Sequence, residues 1–223
     1  MAPARRKSTR ARTKVQKANK VSSSELKASL DSATLAEQHK KLSFEVFAAS
    51  EFSPEDRNEI WSILENNMKD AYARSSFGWK PVEKQAELFH ELSRFIVVRN
   101  TPEVSSTSVP ATIVAYSMFR FEVEERKDVV YCYEVQVHQQ SRRSGLGGCL
   151  MKQLVSIGKR WKMQMIMLTV FKSNVAARSL YNALGFEVDP TSPEYPDSGE
   201  EGSESSDEER EEYDYEILSL PID

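Results

Sequence analysis

The sequence predicts a three-layer α/β fold, and three observations predict it. The middle of the chain carries strand-like apolar runs joined by polar turns, the last two close enough to form a hairpin. Beyond Gly145 the pattern alternates helix, strand, helix and strand. The 223 residues suffice for one ordinary domain with appended tails and are short for two. Antiparallel strands followed by alternating helices and strands are satisfied by one sheet with helices on both faces.

Order is expected to begin near Ser22. There Ser22-x-x-Glu25 has capping-box spacing and leads into Leu26, Leu30 and Leu35. Leu42 to Phe47 alternates apolar and polar residues and reads as a strand. Ser53-Pro54-Glu55-Asp56 is a helix start, with a capping serine, a proline at the first helical position and acids against the dipole. Ile60, Trp61, Leu64, Met68 and Tyr72 follow at helical spacing. Phe77-Gly78-Trp79 breaks that helix, and a shorter one runs from Pro81 through Leu88, Phe89 and Leu92. Phe95 to Val98, Thr112 to Val123 and Val129 to Val137 are strands, the last two joined by the charged turn Glu124 to Asp128. A helix after Gly145 carries Leu146, Leu150, Leu154, Ile157 and Trp161. Strand Met165 to Phe171, a helix from Asn174 to Leu184 capped by Gly185, and a last strand from Tyr213 to Leu220 complete the order.

Hydrophobic residues make up 39% of the chain, below the roughly 45–50% of globular domains, so part of it lies outside any core. The formal charge of −4 hides two extremes. Residues 1–20 carry eight basic side chains and no acid, whereas residues 187–216 carry fourteen acids against Arg210 alone. Residues 1–24 are expected to be a basic disordered tail. Residues 25–223 are expected to be one domain with an extra N-terminal helix and an acidic flexible insertion at about 190–212. A nuclear-targeting or polyanion-binding arm and a plain solvated tail are the two readings of the basic segment, so nucleic-acid contact through it stays open. The nearly neutral body argues against a globally basic nucleic-acid binder. No apolar run approaches the roughly 18–20 residues of a membrane span, so no membrane partner is expected. Cys132 and Cys149 are too few for a disulfide framework and fit a reducing compartment. His39, His90 and His138 show no metal-ligand spacing, so no metal is expected.

The chemistry concentrates in Tyr131-Cys-Tyr-Glu-Val-Gln-Val137 followed by Arg142-Arg-Ser-Gly-Leu-Gly-Gly148. A strand, a short polar connection and glycines at a helix start offer free backbone N–H groups to an anion. Arg142 and Arg143 add positive charge. A phosphate-loop NTPase needs Gly-Lys and then Ser or Thr, which is absent. A dinucleotide fingerprint needs glycine where Leu150 stands and an acid about twenty positions on, which residues 164–172 lack. What remains is Arg142-x-x-Gly145-x-Gly147.

That pattern, with Leu168-Thr-Val170, Asn174, Ala177, Leu180-Tyr181 and Gly185-Phe186 downstream, resembles the Gcn5-related N-acetyltransferase superfamily over about residues 112–189. The resemblance implies a mixed, mostly antiparallel central sheet flanked by helices, with a splayed strand pair at the acetyl-CoA site. Phe77-Gly-Trp-Lys80, Phe119-Arg-Phe121, Tyr131 to Gln136, Met167 to Lys172 and Tyr215 to Ser219 further resemble the N-alpha-acetyltransferase D family, which acetylates the N-terminal serine of histones H4 and H2A. Phe77 in place of Trp and Glu122 in place of Asp depart from that family's pattern.

The resemblance implies that acetyl-CoA is bound by Val135, Gln136, Val137, Arg142, Arg143, Ser144, Gly145, Leu146, Gly147, Gly148 and Asn174. It implies Glu134 as general base acting through water, and Tyr181 as acid toward the leaving thiolate. Tyr181 as plain helix packing and Glu134 as an ordinary ion-pair partner are the competing readings. The peptide pocket would comprise Tyr72, Phe77, Trp79, Glu122, Glu124, Tyr131, Tyr133, Thr169 and Tyr215. Glu122 and Glu124 share one strand face and suit an arginine near the N-terminus of a Ser-Gly-Arg-Gly peptide. Simple strand alternation puts Tyr131 and Tyr133 opposite Glu134, so both tyrosines reach its groove only if a bulge or an edge intervenes. Cys132 reads as a small buried apolar residue rather than an acetyl carrier. A monomer of nucleus and cytoplasm is expected. The alternatives are a lysine or small-amine acetyltransferase of the same fold, and a non-catalytic, acetyl-CoA-dependent binder of histone tails.

Overall fold

The computed structural model describes residues 13–32, 35, 41–100, 111–195 and 213–222. Its strands are β1 (Leu42–Ala48), β2 (Arg94–Asn100), β3 (Ile113–Glu124), β4 (Lys127–Val137), β5 (Met165–Phe171), β6 (Glu187–Val188) and β7 (Tyr215–Pro221). They form one sheet in the order β1-β2-β3-β4-β5-β7-β6, antiparallel except for the β4–β5 pair. Its helices are α1 (Lys14–Ala18), α2 (Ser23–Lys27), α3 (Pro54–Ala73), α4 (Pro81–Leu88), α5 (Leu146–Arg160) and α6 (Val175–Ala183). The expected α/β class, the mostly antiparallel sheet and its flanking helices are all present. The helix α1 and the two-residue β6 have no counterpart in the sequence reading.

The two faces of the sheet bury separate cores. Ile96, Val98, Phe119 and Val130 join Leu150, Leu154 and Ile157 of α5 on one face. Phe95, Val97, Tyr116 and Met118 join Ile60, Ile63 and Leu64 of α3 and Leu88 of α4 on the other. Burial on both faces is why β2 reads as a continuous apolar run rather than an alternating one. The β3–β4 turn places Glu125 and Arg126 at φ 43° and 67°, as a tight two-residue hairpin turn requires.

Order starts earlier than the expected boundary at residue 24. Thr13 caps α1 through a reciprocal box with Gln16, and Val15, Ala18 and Val21 are buried against the α5 face of the sheet. Asn19 Nδ2 donates to Phe121 O at 3.0 Å, and Arg94 Nη2 donates to Asn19 O at 3.0 Å. Asp31 N donates to Gln153 Oε1 of α5 at 2.7 Å. The apolar positions 15, 18 and 21 lie three apart among lysines, so composition masks a docking face. Residues 1–12 and 196–212, where the rest of the expected tail and most of the acidic insertion fall, lie outside the described residues. Among the described residues no helix is long and apolar enough to cross a membrane.

Candidate active site

The site forms where β4 and β5 part. Their pairing covers only Val129 to Cys132 against Met165 to Leu168. From Tyr133 onward β4 keeps β3 on one side, while β5 continues against β7 on its other edge. The divergence leaves backbone groups of Tyr133 to Val137 without a strand partner on the β5 side.

A β-bulge decides which side chains enter this gap. Met118 faces Glu134 and Phe119 faces Cys132, so Tyr133 is an extra residue in the β3–β4 ladder. One extra residue reverses the parity of a strand. Val130 and Cys132 before the bulge and Val135 and Val137 after it therefore pack on the same α5 face. Tyr131 and Tyr133 before it share the opposite face with Glu134 and Gln136 after it, and all four line one cavity of about 680 Å³. The alternation that set Glu134 apart from both tyrosines is corrected by this single residue.

That cavity also draws in Tyr72, Phe77, Trp79, Glu122, Glu124, Thr169, Tyr215, Asn174 and Tyr181. Aromatic contacts build its wall. The Tyr72 ring lies 5.1 Å from Phe171 and 6.1 Å from Trp79, and Phe77 lies 5.1 Å from Tyr215. The Phe77 loop is pinned to the start of β7 by Asp214, which accepts from Ser76 N at 2.6 Å and from Ser76 Oγ at 2.8 Å. These bonds join segments 138 residues apart in sequence.

Tyr131 and Thr169 share a hydroxyl hydrogen bond at 2.7 Å, and Tyr133 donates to Glu122 Oε1 at 2.9 Å. Arg120 lies over the Tyr133 ring, 4.4 Å from its centroid. Glu122, Glu124 and Glu125 line one end of the cavity. Partial burial, then Glu122 and Glu125 beside it, push the Glu124 carboxyl above its ordinary range. Such an end favours a cation. Burial pushes the Tyr72 phenol up to about 12, with the Glu134 charge adding to it, and also raises Tyr131, Tyr133 and Tyr181. The phenols therefore stay protonated at neutral pH, and that of Tyr133 donates to Glu122.

Glu134 is buried, with its carboxylate held by Lys84 Nζ at 2.7 Å on one oxygen and by Gln136 Nε2 at 2.7 Å on the other. Breaking a buried ion pair by removing one partner typically costs about 3–5 kcal/mol. The sequence pattern does not single out Lys84. Lys80, Glu83, Lys84 and Glu87 look there like an exposed i, i+3/i+4 charge pattern, and only the packing of α4 shows that Lys84 turns inward. Cys132 is buried, and burial raises its thiol, which leaves it unreactive.

The Arg142 to Gly148 loop lies outside this cavity, just before and within the first turn of α5. Arg143 and Gly145 take positive φ, 62° and 80°, and α5 opens with no side-chain cap on its amides. Added Cβ atoms would meet nothing within 4 Å at Gly145 and Leu180 at 3.2 Å at Gly147. The second glycine thus also lets α6 approach α5. Ser144 Oγ donates to Ser141 O at 2.5 Å, and the Leu146 side chain is buried in the core. Asn174 caps α6 by accepting from Ala177 N at 3.2 Å. Among the described residues no group of three or more His, Cys, Asp or Glu is arranged to hold a metal ion.

A bulged β4, a splayed partner strand and an uncapped helix with a glycine-containing first turn form one arrangement, and residues 57–186, more than half the chain, match the Acetyltransferase (GNAT) family. The chain belongs to that family. It is a GNAT-type N-acetyltransferase, and the GNAT family uses acetyl-CoA. Solved structures share the fold. An acetyltransferase from Streptococcus agalactiae superposes with a TM-score of 0.57 at 11% identity, over 82% of this chain and 99% of that one. A GCN5-related N-acetyltransferase from Kribbella flavida gives 0.55 at 14%, with the same coverage. A chain of the NatC complex bound to Gag peptide and CoA gives 0.54 at 16%, again over 82% and 99%. The GNAT loop before α5 suits the cofactor's diphosphate, since a helix N-terminus without a side-chain cap presents free amides.

Proposed function

We propose that this GNAT protein is an N-alpha-acetyltransferase of the D type, transferring acetyl to the N-terminal serine α-amine of histone H4 and H2A tails, Ser-Gly-Arg-Gly in sequence. The observation that carries the reading is the shared cavity, which sets the buried Glu134 carboxylate and an acidic end, Glu122 and Glu124, along one aromatic-walled groove. Acetyl-CoA, when bound, supplies an acetyl group activated as a thioester. The amides of Val135, Gln136 and Val137 are assigned to its pantetheine arm. Arg142, Arg143 and the turn from Ser144 through Leu146 to Gly148 are assigned to its diphosphate, with Asn174 beside the arm. A NatC complex of similar fold holds a peptide together with CoA, which is consistent with both ligands meeting here.

Glu134 takes the proton of the incoming amine through a water. An α-amino group ionises near 7.7–8.0, so a carboxylate has little work to do, whereas a lysine ε-amine near 10.4 asks much more of it. Tyr181 keeps its phenolic proton and is the donor assigned to the departing thiolate. Glu122 and Glu124 hold the arginine at the third peptide position, and Tyr72, Phe77, Trp79, Tyr131, Tyr133, Thr169 and Tyr215 enclose the first residues. The protein works as a monomer in nucleus and cytoplasm in this reading. The test is incubation with acetyl-CoA and a Ser-Gly-Arg-Gly-Lys peptide, with the acetyl group mapped by mass spectrometry. Acetyl on the α-amine supports the reading. Acetyl on lysine alone points to a lysine acetyltransferase, and none at all to a non-catalytic tail binder.

A further inference from the structure

Both partners of the Glu134 carboxylate are themselves held. Lys84 Nζ also bonds Glu87 Oε1 at 2.6 Å and stands 4.9 Å from the centre of the Tyr72 ring. Gln136 Oε1 accepts from Asn67 Nδ2 at 2.9 Å, Asn67 Nδ2 also donates to Val137 O at 3.1 Å, and Asn67 Oδ1 accepts from Arg142 at 2.5 Å. A continuous polar chain therefore runs from the loop before α5, through α3 and β4, to α4. Oε2 receives the Gln136 hydrogen bond, whereas Oε1, closed off from solvent, has the Lys84 ammonium at 2.7 Å as its ion-pair partner.

We propose that Lys84 is a positioning residue for Glu134, its ammonium holding one carboxylate oxygen and aiming the group into the groove while Gln136 and Asn67 fix the other oxygen. This rests on Glu134 being the base. The titratable groups facing Glu134 are Tyr72 from α3, Lys84 and Glu87 from α4, Tyr116 from β3, Cys132 from β4 and Tyr181 from α6, with Arg120 and Glu122 beyond Tyr133. Lys84 alone in the inner group carries positive charge. A carboxyl group with 5% of its residue exposed and no cation beside it favours its neutral form, which cannot accept a proton. Burial is the largest influence on Lys84 itself and works against its charge. Glu134, Tyr72 and Glu87 outweigh it and raise the ammonium above the ordinary lysine range.

The experiment compares Lys84→Met and Lys84→Arg with the unsubstituted enzyme, measuring kcat and KM for the serine peptide between about pH 6 and 9, and acetyl-CoA affinity by calorimetry. Lys84→Met is expected to lower kcat at neutral pH by roughly tenfold or more, with cofactor affinity changed less than about twofold. Its acid limb moves to higher pH, so alkaline buffer returns part of the rate, and Lys84→Arg holds the limb in place. A loss of rate equal at every pH means a merely structural lysine and overturns the proposal. Should Lys84→Met not fold, the lysine ammonium resonance in the intact enzyme decides. It persists above the ordinary lysine range with Glu134 present and titrates lower in Glu134→Gln. Ordinary lysine titration in both overturns the proposal. Full turnover in Glu134→Gln removes the base itself, whereas an inactive Glu134→Gln beside an unmoved limb in Lys84→Met removes Lys84 alone.

Discussion

Ala18 has 0% exposure on a five-residue helix within a lysine-rich stretch, and replacing it with aspartate tests whether that stretch belongs to the domain. A carboxylate at this position has two outcomes. It stays buried without a partner, at a cost of several kcal/mol, or the segment lifts off the sheet. Lifting forfeits the burial of Val15 and Val21, each 8–9% exposed, at about 1.5–3 kcal/mol per large side chain. It also releases Arg94, 7% exposed, from Asn19. Against this stands the chain entropy the segment regains. The cheaper outcome sets the measured loss, which we put at about 2–3 kcal/mol. For a domain of this size that lowers the melting temperature by about 4–12 °C. Thermal unfolding followed by circular dichroism reads the shift, with exposed Lys17→Gln as the control. A melting temperature for Ala18→Asp within about 1 °C of the parent would show that the segment contributes nothing.

Gly147→Trp is expected to abolish acetyl-CoA binding in calorimetry, since an indole there meets Leu180 and covers the first turn of α5; retained binding would remove the diphosphate from that turn. Glu122→Gln is expected to raise peptide KM roughly tenfold with kcat nearly unchanged, and the parent KM should climb with ionic strength. A KM unaffected by either change excludes a role for that acidic end in binding. Asp214→Asn tests the pin between the Phe77 loop and β7. Ser76 holds the Asp214 carboxyl below its ordinary range, first through its backbone N–H and also through its hydroxyl. The stabilisation is therefore present above the unfolded value, near 3.9, and disappears as pH falls through the lower folded one. The stability difference between Asp214→Asn and the parent should be open at pH 7 and close in acid, and a constant difference contradicts the assignment.

What was legible in the sequence followed from regular periods. The strand Met165–Phe171 and the helices from Leu146 and Val175 show in apolar spacing, and Gly145 and Gly185 stand at helix boundaries with φ of 80° and 88°. The β3–β4 hairpin was equally plain from its charged turn. The residues that line the cavity were legible as a set but not as a geometry. Nothing in Tyr131 to Gln136 marks Tyr133 as an extra residue: no glycine, no proline and no break in β propensity. Lys84 and Asn67 were invisible for a different reason. Their partners Glu134 and Gln136 lie 50 and 69 residues away in sequence, and only the packing of α4 and α3 on the sheet brings them together. The two-residue β6 is too short for any period to register.

The bulge at Tyr133 makes β4 a strand whose meaning changes partway along its length. Shorten it there by one amino acid and the downstream half would turn over, sealing the Glu134 carboxyl among hydrocarbon and turning the Val135 side chain out of the α5-face core. Length, at this point in the chain, is as much a chemical instruction as side-chain identity. A relative with one residue fewer between the hairpin turn and the loop before α5 should keep the architecture and lose the shared face of Tyr133 and Glu134.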